Sequence, residues 1–306
     1  MKVAIIGRTE ALYQSALDLV ENNYEVVCIL TAKESPEYLK SRDDFKNLSI
    51  ELDVPFESSG SIKNYKNFFK KSSPDIAISI NYPGIIPQEI IDIFPHGILN
   101  AHGGDLPRYR GNACQAWAIL NGEKRIGICI HKMRGDELDS GDIIERDFID
   151  ISENTKIGHV LDWMNERIPK LFLSSLNKLQ SDKKYFLEKQ STNPEDILRC
   201  YPRIPEDGKI DWRENSQNII RLINASNKPY EGAFCKFKDL KMIIWDAVRI
   251  VDDEIFMAIP GQVTQIQKDF VEVACGKGKI RILKVEFDNE IVCPSLIIKS
   301  IRERLN

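Results

Sequence analysis

Four short apolar runs, at residues 3–6, 25–30, 75–80 and 97–100, follow one another with helix-period stretches between them, and this alternation is what most restricts the fold. The first run opens onto Gly7, after which Leu12, Ala16, Leu19 and Val20 recur at helical spacing. Helical patterns at 62–69 and 87–93 separate the later runs. Strand, helix and strand in that rhythm are parallel βαβ units. The expected class is α/β, a Rossmann-like, mostly parallel sheet with helices on both faces.

In open sheets of this kind ligands bind beyond the carboxyl ends of the strands, and Asn100 stands where one strand ends. Residues 125–133 alternate Ile126, Ile128 and Ile130 with Cys129 and His131, which predicts a further strand leading into the loop that carries Asp139. A long amphipathic helix over 156–179 closes the first domain. Residues 181–208, with Asn193-Pro194, Tyr201-Pro202, Ile204-Pro205 and Asp207-Gly208, read as a linker. After one helix near 216–224, short β-rich runs at 232–237, 242–250, 261–267, 270–275 and 279–287 predict a small OB-like β-barrel. The expected domains are therefore 1–180 and 209–306.

No apolar stretch reaches the roughly 18 residues of a membrane helix, and Met1 runs into structure with no secretory signal, so a cytoplasmic protein without a membrane partner is expected. The seven cysteines are scattered, odd in number and free of any C-x-x-C pair, as buried thiols in a reducing compartment would be. A net charge of −4 disfavours a partner held mainly through its phosphates.

Asn100 and His102, two apart in an extended segment, project to the same side. An imidazole accepts a proton or, when charged, stabilises an oxyanion, a nearby carboxylate such as Asp139 orients it, and an amide N–H such as that of Asn100 donates to a carbonyl oxygen as it becomes negative. The trio suits acyl transfer to an external nucleophile. On spacing alone the bland alternative is equally good: Asn100 caps a loop, His102 is a packed histidine and Asp139 makes an Asx-turn before Gly141. One histidine with Asp105 and Asp139 lacks the usual metal-ligand set, so no metal is expected, and there is no G-x-S-x-G nucleophile.

The segments Asn100-Ala101-His102, Leu106-Pro107-x-Tyr109-Arg110-Gly111 and Leu138-Asp139-Ser140-Gly141-Asp142 resemble the signatures of the 10-formyltetrahydrofolate-dependent formyltransferases. The resemblance implies Asn100, His102 and Asp139 as catalytic residues and 10-formyltetrahydrofolate as cosubstrate. It also implies folate contacts along Gly84, Ile85 and Ile86 and along Gly135, Asp136, Glu137 and Leu138, where backbone N–H and C=O groups can read a pterin edge. Residues 203–212 and 228–234 resemble the second domain of methionyl-tRNA formyltransferases and nucleotide-aminosugar N-formyltransferases, and a homodimer is the family expectation.

Two acceptors then compete. From Cys200 to the end there are 17 Lys and Arg against 16 Asp and Glu, and in 31–47 Lys33, Lys40, Arg42 and Lys46 are balanced by four acids. A tRNA clamp needs net positive charge. The favoured acceptor is therefore the amine of a UDP-, dTDP- or GDP-linked amino sugar, such as a 4-amino-4,6-dideoxy sugar for surface polysaccharide, with methionyl-tRNA as the alternative. Arg8, Asp105, Tyr109 and Asn112 are the residues expected against the acceptor. Of these, Asp105, together with Gly104, departs from the common His-x-Ser-Leu-Leu-Pro pattern, and Asn112 stands where some aminosugar relatives carry Arg. Asp105 either attracts the acceptor's ammonium group or faces solvent. A nicotinamide oxidoreductase is disfavoured because Gly7 lacks a G-x-G-x-x-G context, and a noncatalytic RNA-binding barrel because of the near-neutral charge.

Overall fold

The structure, a computed structural model, describes residues 1–251 and 254–306. The chain divides into two compact units, the first made of Met1–Cys114, Ile126–Ile149 and Leu161–Cys200, the second of Gln115–Arg125, Asp150–Val160 and Tyr201–Asn306.

In the first unit the strands are β1 (Lys2–Gly7), β2 (Glu25–Thr31), β3 (Phe56–Ser58), β4 (Ile76–Ile80), β5 (Ile98–His102), β6 (Arg110–Gly111), β7 (Arg125–Lys132) and β8 (Ile143–Asp150). Seven of them form one sheet in the order β3-β2-β1-β4-β5-β7-β8. Pairing is parallel from β3 through β5 and antiparallel between β5 and β7. The apolar runs become strands because both faces of the sheet are covered. Val3, Ile5, Ile78 and Leu99 pack with helices α1 (Glu10–Glu21) and α2 (Arg42–Glu51) and with Ile168, Phe172 and Leu176 of the long helix at Ile157–Ser181. Ala4, Ile6, Ala77 and Ile98 pack on the other face with Phe69 of α3 (Lys66–Ser72) and Ile90 of α4 (Gln88–Ile91). Fully burying each valine, leucine, isoleucine or phenylalanine among them contributes about 1.5–3 kcal/mol.

Three details differ from the sequence reading. The pattern at 87–93 yields only the single turn of α4, begun by Pro87. Strand β8 escaped notice because its middle is charged, yet its charges have distant partners: Glu145 with Lys178, Arg146 with Asp105, and Asp147 with Arg167. The stretch 182–200, read as linker, is pinned to the first unit. Glu188 bridges Ile143, and a short strand β9 (Arg199–Cys200) pairs in parallel with β6, Gly111 opposite Cys200.

Past α5 (Cys114–Asn121), α6 (the Ile157–Ser181 helix) and α7 (Ser216–Ala225), the second unit is an antiparallel sheet. Its strands are β10 (Ala233–Phe237), β11 (Leu240–Ile250), β12 (Val263–Ile266), β13 (Val271–Ala274), β14 (Lys279–Phe287) and β15 (Glu290–Val292), in the order β10-β11-β14-β13-β12 with β15 against β14. The two ends of this sheet are joined through the last residues of the chain. Leu305 donates to Gly261 at 2.9 Å beside β12, while Asn306 and Lys236 of β10 exchange backbone bonds at 2.6 and 2.9 Å. Among the described residues no helix is long and apolar enough to cross a membrane.

Candidate active site

Along β5 the alternation places Leu99 and Ala101 in the core under α1, while Asn100 and His102 emerge on the opposite face, as their spacing predicts. Antiparallel register sets His131 of β7 directly across from Asn100, and Cys129 across from His102. Two histidines and an amide thus share one patch at the end of the central strands.

The loop after β7 brings the carboxylate. It folds back so closely that a Cβ on Gly141 would lie 1.6 Å from the carbonyl oxygen of Lys132, so this position takes only glycine. Asp139 adopts φ 49°, a left-handed conformation that costs a non-glycine residue about 1–2 kcal/mol. One carboxylate oxygen, Oδ2, accepts the Gly111 N–H at 2.9 Å and faces His102 Nδ1 at 3.5 Å, while Oδ1 faces His131 Nε2 at 3.5 Å. Burial by itself would raise the Asp139 pKa, but the His102 charge, the neighbouring His131 ring and the Gly111 N–H together hold it well below the usual carboxylate range. Asp139 is therefore an anion that organises two imidazoles.

His102 is 7% exposed and contacts three groups. Besides Asp139, its Nε2 lies 2.6 Å from the Tyr109 carbonyl oxygen and 3.7 Å from Cys114 Sγ. Tyr109, at φ 56°, aims that carbonyl. With an acceptor oxygen facing each ring nitrogen, an imidazolium would donate from both sides. Gly104 is squeezed into the same corner: a Cβ there would meet the Tyr109 oxygen at 2.4 Å and His102 Nε2 at 2.7 Å.

Two residues at this site are given no role by the sequence alone. His131 is 1% exposed and touches both Asn100, at 3.2 Å, and Asp139; its place in the alternation of β7 was visible, its partners were not. Gln190, within the supposed linker, donates to the carbonyl oxygens of Asp139 at 2.8 Å and Gly141 at 2.7 Å, and accepts from Arg110 at 2.8 Å.

The residues expected to meet the acceptor fall in different surroundings. Asn112 is exposed beside the β6–β9 pair, its N–H donating to Cys200 at 3.2 Å. Tyr109 is buried and acts through its carbonyl. Arg8 is committed elsewhere: it donates to the Asn81 and Lys33 carbonyls at 2.9 and 2.8 Å and stacks on Tyr38. Asp105 is half-buried and pairs with Arg146, which also donates to Leu106 O at 2.8 Å and to Glu188 at 2.9 Å.

The two stretches expected to hold folate adjoin. The Gly135 N–H donates to the Gln88 side chain at 2.8 Å, and a Cβ on Gly135 would strike the Gln88 backbone at 2.3 Å. Ile86 is 2% exposed and belongs to the core, whereas Ile85 is 68% exposed, an apolar side chain left on the surface. Gly135 through Leu138 lie outside helix and strand, with Asp136 left-handed at φ 63°. Irregular backbone beside an uncovered isoleucine fits a ring with a polar edge and apolar faces.

Residues 1–176 match the family described as formyl transferase, and residues 203–299 match the formyl transferase C-terminal domain. The methionyl-tRNA formyltransferase of Acetivibrio thermocellus is 29% identical over 296 residues, covering 94% of this chain and 93% of that one. Among solved structures, HypX from Aquifex aeolicus in complex with tetrahydrofolic acid is similar with TM-score 0.65 at 16% identity, over 98% of this chain and 47% of that one. The N-formyltransferase from Helicobacter canadensis in complex with folinic acid and dTDP-3-aminofucose has TM-score 0.68 at 16% identity, over 92% and 99%. With both parts of the chain matched in order, this protein belongs to the formyl transferase family.

Proposed function

We propose that the chain transfers a formyl group from 10-formyltetrahydrofolate to the amine of a nucleotide-linked amino sugar. The observation that carries the choice of acceptor is the pairing of its basic residues. In the segment after β2, Lys40 pairs with Asp44 at 3.8 Å and Arg42 with Asp43 at 3.3 Å. In the second unit Arg213, Lys238, Arg249 and Arg281 pair with Asp211, Glu303, Glu153 and Glu272 at 2.6–3.0 Å. Binding of tRNA draws on cations that neutralise phosphates and release counterions, and cations already matched by carboxylates supply little of that. A sugar nucleotide bound to the Helicobacter canadensis enzyme supports the same reading. It extends to a homodimer serving surface-polysaccharide synthesis, which rests on the family resemblance, and to a cytoplasmic location, which rests on the lack of a secretory signal or membrane-length apolar run in the sequence.

The reaction begins with the unprotonated amine attacking the formyl carbon. Asn100 donates an amide hydrogen to the formyl oxygen as it turns negative, and the positive charge of His102, held by Asp139, stabilises the same oxygen. The C–N10 bond to the folate then breaks as the amine proton passes through water to the departing N10. No covalent enzyme intermediate is needed.

Methionyl-tRNA is the second reading, favoured by the 29% identity to the Acetivibrio thermocellus enzyme. An assay with 10-formyltetrahydrofolate against methionyl-tRNA and a panel of UDP-, dTDP- and GDP-linked amino sugars separates them. Formylation of a sugar nucleotide is expected; formylation of the tRNA alone would reverse the assignment.

A further inference from the structure

We infer that His131 is a positioning residue that fixes which way the Asn100 amide faces. The inference rests on formyl transfer as the reaction but on neither acceptor. An asparagine amide has a donor end and an acceptor end, and only the donor end stabilises an oxyanion. His131 decides between them through its tautomer. Its Nδ1 lies 3.1 Å from the Lys132 carbonyl oxygen, which only accepts, so Nδ1 carries the hydrogen of the neutral ring. Nε2 is then a bare acceptor, and Asn100 Nδ2 sits 3.2 Å from it. Turning the amide over would press its carbonyl oxygen against the Nε2 lone pair and, 3.5 Å beyond Nε2, the Asp139 carboxylate. One amide hydrogen is therefore spent on His131, and the second is left for the formyl oxygen.

The charged and titratable groups around the ring fit this role. Asp139 faces Nε2 from the loop, and the His102 ring stands edge-on with centroids 6.4 Å apart on β5. His131 is buried behind Asn100 and acts through it, as outer-shell groups act on the residues they orient.

Three measurements on the full chain test the assignment. In protein labelled with ¹⁵N at its four histidines, the ring assigned to His131 by its loss in His131→Gln should be protonated at Nδ1 and bare at Nε2 at a pH where imidazoles are neutral. A neutral ring protonated at Nε2 overturns the inference, whatever the acceptor. With the acceptor that the panel identifies, His131→Ala should lower kcat about 10–100-fold while KM for 10-formyltetrahydrofolate changes less than about threefold, and His131→Gln, which restores an acceptor, should recover part of the loss. In an Asn100→Ala background His131→Ala should cost little more; effects that multiply instead would mean that His131 does not work through Asn100. Should His131→Ala not fold, the tautomer and the His131→Gln kinetics decide.

Discussion

Left-handed backbone serves two different ends in the two units. In the second unit Lys238 and Asp239, at φ 50° and 64°, join β10 to β11, and Asp288 and Asn289, at φ 53° and 63°, join β14 to β15. Two consecutive positive-φ residues are what a type I′ hairpin requires, and the conformation there only reverses the chain. In the first unit Tyr109 and Asp139 are left-handed singly, and each aims a polar group at His102: the Tyr109 carbonyl and the Asp139 carboxylate. Strain in a hairpin can be relieved without consequence for chemistry, whereas strain at the strand ends holds the site together.

The contrast can be broken in four ways, taken from the largest effect downward. Removing the group that the strained residues serve, by His102→Ala, should lower kcat for formyl transfer about 10²–10⁴-fold while leaving folate affinity within a few-fold, read by steady-state kinetics beside equilibrium binding. Gly104→Ala inserts a methyl group where 2.4 Å separates it from the Tyr109 oxygen, so the turn or the imidazole must shift. A displacement near 1 Å at a reacting group costs on the order of 100-fold, and a kcat unchanged by this substitution would show that the corner is slack.

The third prediction concerns acid. The Asp139 pKa is depressed in the folded state, so its contribution to stability is complete above the unfolded value of about 3.9 and is lost as pH falls below it through the lower folded value. Denaturation curves from pH 6 downward should therefore fall less steeply below about pH 4 for Asp139→Asn than for the native chain. The smallest effect lies in the hairpin: Asp239→Gly removes a left-handed Cβ and should stabilise by about 0.5–1 kcal/mol, seen as a Tm rise of a few degrees, with kcat untouched.

Much of this molecule is legible in its sequence wherever the information is local. The apolar runs 3–6, 25–30, 75–80 and 97–100 become β1, β2, β4 and β5 because both faces of the sheet are covered, and the two-residue spacing of Asn100 and His102 correctly places them on one face. Partners far along the chain leave no such trace. Arg146 lies 41 residues from Asp105, Gln190 lies 51 from Asp139, and neither pairing has a period or a motif. The misreading of 182–200 as linker has the same origin, since its Pro and Asn content describes turns accurately but says nothing of the carbonyl groups that Gln190 satisfies.

That single glutamine has a consequence for anyone who would retool this enzyme. Its amide nitrogen grips the carbonyl groups of Asp139 and Gly141, and its oxygen takes the guanidinium of Arg110, next to the Gly111 whose N–H the Asp139 carboxylate accepts. Residues 102–111, 139–141 and 190 are three separate pieces of gene but one mechanical part. A loop graft from a relative that replaced only one of them would leave buried polar groups without their mates, and transplanting a new specificity means moving all three together.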